Sequence, residues 1–252
     1  MKDIFVIAWD TARQQIRDRV FFVVLLFGGV LTLASLLFGA VSADQQLEVI
    51  RDVGLLATEL FGLAAACLGA VTLILTEIES RSLYLILARP IPRWYYIVGR
   101  AAGLWGAVFV AVLAMGAFHG GLLFFKGAPL DGAFLRVYPF IGMKLAVITS
   151  LGVALSVFSS SSASALVFTA AFWMTGNFVQ EIRFMAEKVG PGVEFLIKAV
   201  IFSVPNLPLL NARDALALPK GVLAFGPALC YTVGYTTISL IVASFLFSKK
   251  EF

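Results

Sequence analysis

Residues 76–100 read TEIESRSLYLILARPIPRWYYIVGR, and this stretch decides how the rest of the chain is arranged. It is charged, aromatic and broken by prolines, yet it lies between two strongly apolar runs, GAVTLILT at 69–76 and AAGLWGAVFVAVLAMGAF at 101–118. Such a pattern is typical of a loop that joins two membrane spans. Its four arginines predict that the loop is cytoplasmic, because cytoplasmic loops carry an excess of Lys and Arg.

Three parts can be distinguished within this loop. Residues 82–88 (SLYLILA) predict two turns of helix with a mostly apolar face. Residues 89–93 (RPIPR) must leave the helix, because a proline disfavours the helical conformation of the residue before it. The aromatic residues 94–96 suit the membrane–water boundary. The sequence therefore predicts a compact cytoplasmic knob that is stiff enough to transmit force.

The composition indicates an integral membrane protein. The 252 residues are 60% apolar and 13% charged, whereas soluble domains carry about 25% charged residues. The mean hydropathy is +0.96. The net charge of +4 does not indicate nucleic-acid binding, because the basic residues lie at the predicted span ends. Cys67 and Cys230 both fall within apolar runs, which favours small packing residues over a disulfide pair.

The apolar runs predict an all-α membrane protein with a single transmembrane domain over 1–252, six spans and both termini in the cytoplasm. Each run is close to the ~20 residues that a bilayer requires. The segments predicted to lie inside carry more bases than acids, and the inverted topology would reverse that bias. The predicted spans are roughly 20–43, 53–76, 101–125, 137–158, 163–180 and 221–247.

The segments between the spans have their own patterns. Residues 1–19 predict an amphipathic helix in the cytoplasmic interface, the alternative being the wet beginning of span one. Residues 44–52 predict a short outer turn, and the serine run at 159–164 predicts a tight inner turn or a small second contact to a partner. Residues 181–220 predict an outer cap, in which 193–204 are too short to span and form a re-entrant or interfacial helix.

An acidic residue, a short helix, RPIPRW at 89–94 and Arg100 at the next span resemble the permeases of the type-two class of ABC exporters, among them the permease of nitrous-oxide-reductase maturation. The resemblance implies that 77–100 is a coupling segment, which seats in a groove of a separate ATPase subunit. It also implies a second permease copy or a sister permease, and a bacterial or archaeal plasma membrane. Further segments that carry it are TARQQIRDRVFF at 11–22, VPNLPLLNARD at 204–214 and SKKEF at 248–252.

The candidate contacts to the ATPase follow from this resemblance. An alternative is that the arginines among them only snorkel to lipid phosphates. The chain has no G-x-x-x-x-G-K-[ST] loop, so ATP and Mg²⁺ are expected in the partner and no cofactor in this chain. Met115 and His119 lie four apart and would suit a soft metal, but packing is favoured and no metal site is predicted. The candidate coupling residues are Glu77, Glu79, Arg81, Ser82, Arg89, Pro90 and Arg93.

Four polar residues from four different spans are predicted to lie at a similar depth: Glu59, His119, Lys144 and Asn177. At 1.5 Å per residue they lie within roughly 5–10 Å of the outer boundary. Ionisable groups at such depth usually face the bundle interior or a wet cavity. We therefore predict a Glu59–Lys144 pair with the other two nearby, as an outer gate or an exit patch for substrate. The alternative is that Glu59 lies among the headgroups and Lys144 snorkels outward.

Two functions remain open at this point. The first is the permease half of an ATP-driven exporter, whose partners would be the ATPase, a second permease and membrane lipid. The second is a non-transporting membrane anchor that transmits force to a partner. An intramembrane enzyme is not favoured, because Glu59 is the only acid predicted inside a span.

Overall fold

The computed structural model describes residues 2–42, 45–79, 92–128, 131–186, 188, 197–198, 201, 203–213 and 224–249. Every regular element in these ranges is a helix, as the sequence predicted. The helices are α1 (Lys2–Arg17), α2 (Arg19–Val41), α3 (Gln46–Glu79), α4 (Arg93–Phe125), α5 (Gly132–Phe158), α6 (Ser162–Asn177), α7 (Val179–Ala186), a short 3-10 helix (Leu207–Leu210) and α8 (Phe225–Lys249).

Five of the described helices, α2, α3, α4, α5 and α8, are long and apolar enough to cross a membrane. Together α6 and α7 also meet this test, but the chain bends by 64° between them. The structure thus has five candidate spans, or six if the bent pair counts as one. It supports a multi-pass membrane protein.

Contacts between helix termini define the two ends of the bundle. At one end, Arg93 of α4 donates a hydrogen bond to the backbone carbonyl of Ser248 at 3.0 Å, and Tyr96 stacks on Phe247 of α8 with ring centroids 5.4 Å apart. Because α1 packs along α4, we call this the α1 end. At the opposite end, called the far end, Gly39 of α2 packs against Ile50 of α3.

The core is built around α5, which packs on α3, α4, α6 and α8. Its candidate span is the most buried of the five, and that of α2 is the least buried. Along α2 a single stripe is buried, and it consists mainly of small residues: Phe21, Gly28, Thr32, Ser35 and Gly39. Small residues allow helices to approach closely without a large apolar side chain between them.

The N-terminal segment forms a helix of its own, α1, which is separate from α2. It ends at Arg17, and the Asp18 carboxylate caps α2 by accepting a hydrogen bond from the Val20 amide at 2.7 Å. One face of α1 is buried in the protein, whereas the aromatic side chains of Phe5 and Trp9 are 71% and 67% exposed. This pattern is the one expected of a helix at a membrane interface.

Several helix boundaries differ from the predicted spans; α5, for example, begins at Gly132, five residues before the predicted start at 137. The third helix already begins at Gln46, so 46–52 are helical and not part of a turn, because the buried Ile50 packs against the end of α2. The fourth helix begins at Arg93, so the aromatic residues 94–96 belong to it. The sixth ends at Asn177, whereas the sequence predicted a span through residue 180.

Some other predictions concern segments that the structure describes only in part. The serine run is a turn, in which the Ser161 hydroxyl caps α6 by accepting from the Ser164 amide at 3.3 Å. The predicted coupling helix at 82–88 lies outside the described residues. So does most of the predicted helix at 193–204, of which 197–198, 201 and 203–204 are described.

Candidate functional site

The first polar cluster lies at the α1 end, among residues that flank the segment 80–91 in the chain. Glu77 near the end of α3 and Arg100 in α4 form an ion pair between Oε1 and Nη2. The Tyr96 hydroxyl donates a hydrogen bond to Oε2 of the same carboxylate. The two charged side chains are only 14% and 6% exposed. Burial of this kind is stable only when both charges are paired and hydrogen-bonded.

Arg100 also connects this pair to α1. Its Nη1 donates hydrogen bonds to the Thr11 hydroxyl at 3.1 Å and, more weakly, to Oε1 of Gln14 at 3.5 Å. Its guanidinium lies 5.4 Å from the centroid of the Tyr96 ring. An arginine suits this position, because its planar group offers five donors in fixed directions. We call these five residues, Thr11, Gln14, Glu77, Tyr96 and Arg100, the base cluster.

Two glycines of α4 bring α1 within reach of Arg100. A Cβ atom at Gly103 would overlap the carbonyl oxygen of Ala8, and one at Gly99 would lie 2.8 Å from Cγ2 of Ile7. A larger residue at either position would push α1 away. The base cluster therefore depends on close helix packing, which glycine permits.

The structure places only some of the predicted coupling residues. Glu77 lies in the base cluster, and the exposed Arg93 bonds to α8 as described above. Glu79 is the last residue of α3, and its side chain lies outside the described part. Arg81, Ser82, Arg89 and Pro90 lie outside the described residues altogether.

The second polar cluster joins α3, α5 and α6. Lys144 is 3% exposed, and its Nζ forms an ion pair with Oε1 of Glu59. It also donates a hydrogen bond to Oδ1 of Asn177 at 2.9 Å, and the Asn177 amide donates to the carbonyl of Trp173 at 2.9 Å. We call Glu59, Lys144 and Asn177 the Lys144 triad. A lysine that snorkels to the headgroups does not fit this geometry.

His119 lies outside this triad. Its Nδ1 is 3.0 Å from the Tyr138 hydroxyl, and its ring meets Phe134 edge-on at 5.4 Å. Gly54 makes room for the ring, because a Cβ atom there would overlap it. The two residues that contact the ring, Gly54 and Tyr138, precede Glu59 and Lys144 by five and six residues. The helix rise therefore places His119 about 7–9 Å nearer the far end than the Lys144 triad. The four predicted residues thus form two layers.

No metal site emerges among the described residues, where no group of three or more His, Cys, Asp or Glu side chains could hold an ion. The Met115 thioether packs against Gly28 of α2.

A third feature is a cavity of about 1170 Å³ between α5 and α8, which the sequence patterns did not indicate.

Comparison with known proteins gives no identity. No model of a known protein family matches the chain, and no curated protein is significantly similar to it. The described residues offer three features that bear on function, namely the two polar clusters and the cavity.

Proposed function

We propose that the chain is the membrane-spanning permease subunit of an ATP-driven exporter of the ABC type. It works with a separate ATPase subunit and with a second permease, and the two permeases form the pathway in a bacterial or archaeal plasma membrane. The base cluster carries this proposal, because together with the Arg93–Ser248 hydrogen bond it ties the residues on either side of the predicted basic loop at 80–91 to four helices.

The position of the base cluster suits the transmission of force. Glu77 lies three residues before the loop and Arg93 two residues after it, so both of its ends are bonded to the bundle. Breaking a buried ion pair by removing one partner costs about 3–5 kcal/mol. A push on the loop therefore moves α1, α3, α4 and α8 together and is not absorbed by local rearrangement.

The charges support a cytoplasmic α1 end. Residues 80–91 contribute Arg81 and Arg89 and no acid, and Arg13, Arg17 and Lys249 lie at the same end of the bundle. Cytoplasmic segments next to spans are enriched in such residues. The Lys144 triad then lies toward the outer face, where it would act as a gate that opens when the helices move.

The proposal can be tested by double electron–electron resonance. A spin label replaces Lys126, an exposed residue at the far end of α4, and the chain is purified with the ATPase subunit that accompanies it in its native membrane. We expect a label-to-label distance between two permease copies, and a change in that distance when ATP and vanadate trap the ATPase.

Two variants separate docking from force transmission. Arg89→Glu should release the ATPase, because it reverses a loop charge, whereas Arg136→Glu reverses an exposed charge on α5 and serves as the control. Arg100→Met should retain the ATPase but abolish the nucleotide-dependent change in distance. If no ATP-hydrolysing subunit accompanies the chain, or if trapping changes no distance in the unsubstituted complex, the proposal is wrong.

A further inference from the structure

The cavity between α5 and α8 is a groove that is partly open to its surroundings and lined mainly by apolar residues. Its volume is about 1170 Å³, and along α8 it extends from Cys230 to Leu246, a separation of 16 residues or about 24 Å. This length exceeds one leaflet, which is about half of a hydrocarbon core of roughly 30 Å. The groove therefore reaches a depth at which the surrounding lipids offer only acyl chains.

Three polar residues of α8 form a stripe along the wall of this groove. Tyr231, Tyr235 and Ser239 all line it, and their spacing of four residues places them on one face of the helix. Because the midpoint of α8 (Phe225–Lys249) is residue 237, the stripe runs from about 9 Å on one side of the midpoint to about 3 Å on the other. Hydrogen-bonding side chains thus extend to the middle of the helix. We call these three residues the hydroxyl stripe.

The Ser239 hydroxyl in this stripe has no partner. Ser239 is 8% exposed and makes no hydrogen bond among the described residues. Every other buried serine or threonine in that part of the chain makes at least one. On the same helix, Thr232 and Thr236 donate to the carbonyls of Ala228 and Thr232 at 2.8 and 2.7 Å. A buried hydroxyl without a partner is unfavourable, so a hydrogen-bonding group in the groove would stabilise this site.

Tyr231 offers a second unused group in the same stripe. Its oxygen accepts a hydrogen bond from the Asn206 amide at 2.6 Å, but its hydroxyl donates none within the described part of the chain. The Tyr235 hydroxyl, by contrast, donates to the carbonyl of Ser203 at 3.2 Å, which fixes this face of α8 to the neighbouring segment. The stripe therefore presents a free donor at Tyr231 and a free hydroxyl at Ser239.

We propose that this groove binds an amphiphile with an uncharged, hydroxyl-bearing headgroup, such as a glycolipid. Its hydroxyls bond to Tyr231 and Ser239, and its acyl chain lies against the apolar wall near Leu246. An annular phospholipid does not match, because its headgroup stays at the membrane surface and its acyl chains offer no hydrogen bond at the depth of the stripe. The bases Arg183 and Lys198 also line the groove, but the first is exposed and the second already has an interaction partner, so neither identifies the occupant.

In the proposed exporter this amphiphile is the substrate, and that assignment rests on the proposed function. A headgroup held near the middle of the bundle lies between the two membrane surfaces, as the headgroup of a substrate does during transport. Binding itself requires neither ATP nor a partner subunit and is tested on the chain alone. Failure of the binding test therefore leaves the exporter function intact, and failure of the nucleotide-trapping experiment leaves binding intact.

The test is photo-crosslinking with the isolated full chain in nanodiscs of phosphatidylcholine. One probe is a glucosyl diacylglycerol with a diazirine in its acyl chain, and the matched probe carries methyl ethers in place of the sugar hydroxyls. Labelled residues are mapped by mass spectrometry. We expect the hydroxylated probe to label the groove near Leu246 roughly threefold or more above the methylated one, because a neutral hydrogen bond changes an equilibrium by roughly twofold to tenfold.

Two substitutions on α8 assign this preference to the stripe. Ser239→Ala should lower the ratio of the two labelling yields by roughly twofold to tenfold. It should not lower thermal stability, because the hydroxyl that it removes has no partner in the protein. Thr237→Ala removes an exposed hydroxyl on the same helix outside the groove and should leave the ratio unchanged.

A third substitution closes the groove itself. Gly234 lines it, and a Cβ atom there would meet no atom within 4 Å, so Gly234→Phe projects a ring into the open space. We expect the labelling near Leu246 by both probes to fall in this variant. Gly226→Phe, at an equally open position of the same helix outside the groove, is the control and should retain the labelling.

Three results would overturn the inference. Equal labelling by the two probes would mean that the stripe meets only water or acyl chains. An unchanged ratio in Ser239→Ala, or unchanged yields in Gly234→Phe, would mean that the probe binds elsewhere on the chain. A loss of thermal stability in Ser239→Ala would mean that this hydroxyl stabilises the protein and is not reserved for a ligand.

Discussion

Exchanging the charges of Glu59 and Lys144 tests the Lys144 triad most directly. Lys144→Glu places two carboxylates together, and Glu59→Lys places two ammonium groups together, at a site where the lysine is 3% exposed. The double variant restores one charge of each sign. The outcome therefore separates a true pair from two residues that are merely close.

The expected loss of stability follows from the burial of the ion pair. Removing one partner of a buried pair costs about 3–5 kcal/mol, and like charges add to that cost. For a chain of this length, 1 kcal/mol shifts Tm by roughly 2–4 °C, so each single variant should lose roughly 6–20 °C. Thermal stability by fluorescence-detected size exclusion, with the protein in nanodiscs, measures this loss. Lys126→Glu, which reverses an exposed far-end charge, should shift Tm by less than roughly 2 °C.

Recovery in the double variant should be large but incomplete. Asn177 accepts from the lysine through Oδ1 in the native protein, and opposite a carboxylate it must turn its amide group and give up its bond to Trp173. We expect more than half of the lost stability to return. If the double variant is as unstable as the worse single one, the pair does not contribute as an ion pair.

Three further experiments test other parts of the structure. Gly103→Ala should displace α1 from α4, lowering stability by about 1–3 kcal/mol and increasing amide hydrogen exchange along α1, whereas Gly106→Ala, whose nearest neighbour would be 4.0 Å away, should do neither. Tyr96→Phe removes a hydrogen bond to a buried carboxylate, so a chemical denaturation curve should show a loss of about 1.5–3 kcal/mol. In a background without native cysteines, Lys126→Cys should react with an impermeant maleimide on intact cells and Ser160→Cys only after permeabilisation; the reverse would invert the topology.

Five of the six predicted spans correspond to long apolar helices, and these could be predicted from the sequence because long apolar runs leave few alternatives in a bilayer. The residues at which the helices begin could not be predicted in the same way. Residues 46–52 contain charges that favour a turn, yet they are helical because Ile50 is buried against α2, a tertiary contact that local sequence does not reveal. The bend after Asn177 likewise interrupts an apolar run that looks continuous in the sequence.

For the polar residues, the sequence predicts how deep each side chain lies in the membrane but not which neighbour it faces. A rise of 1.5 Å per residue fixes how deep Glu59 and Lys144 lie once the spans are known, and the structure brings these two together. Whether a side chain at that depth points toward the same neighbour depends on helix rotation and packing. The predicted depth of His119 groups it with the pair, but in the structure its ring occupies the space beside Gly54. The sequence does not predict that the Tyr96 hydroxyl donates a hydrogen bond to the Glu77 carboxylate.

The two ion pairs share one helix, and this arrangement links the two ends of the bundle. Glu59 and Glu77 both belong to α3 and are 18 residues apart, which is about five turns and 27 Å, so they lie on the same face of the helix. No proline interrupts α3 between them. A rigid helix that is fixed to Arg100 at one end and to Lys144 at the other cannot shift along its axis without straining both pairs. Loosening the base cluster is therefore expected to increase hydrogen exchange around the Lys144 triad as well, although no residue belongs to both clusters.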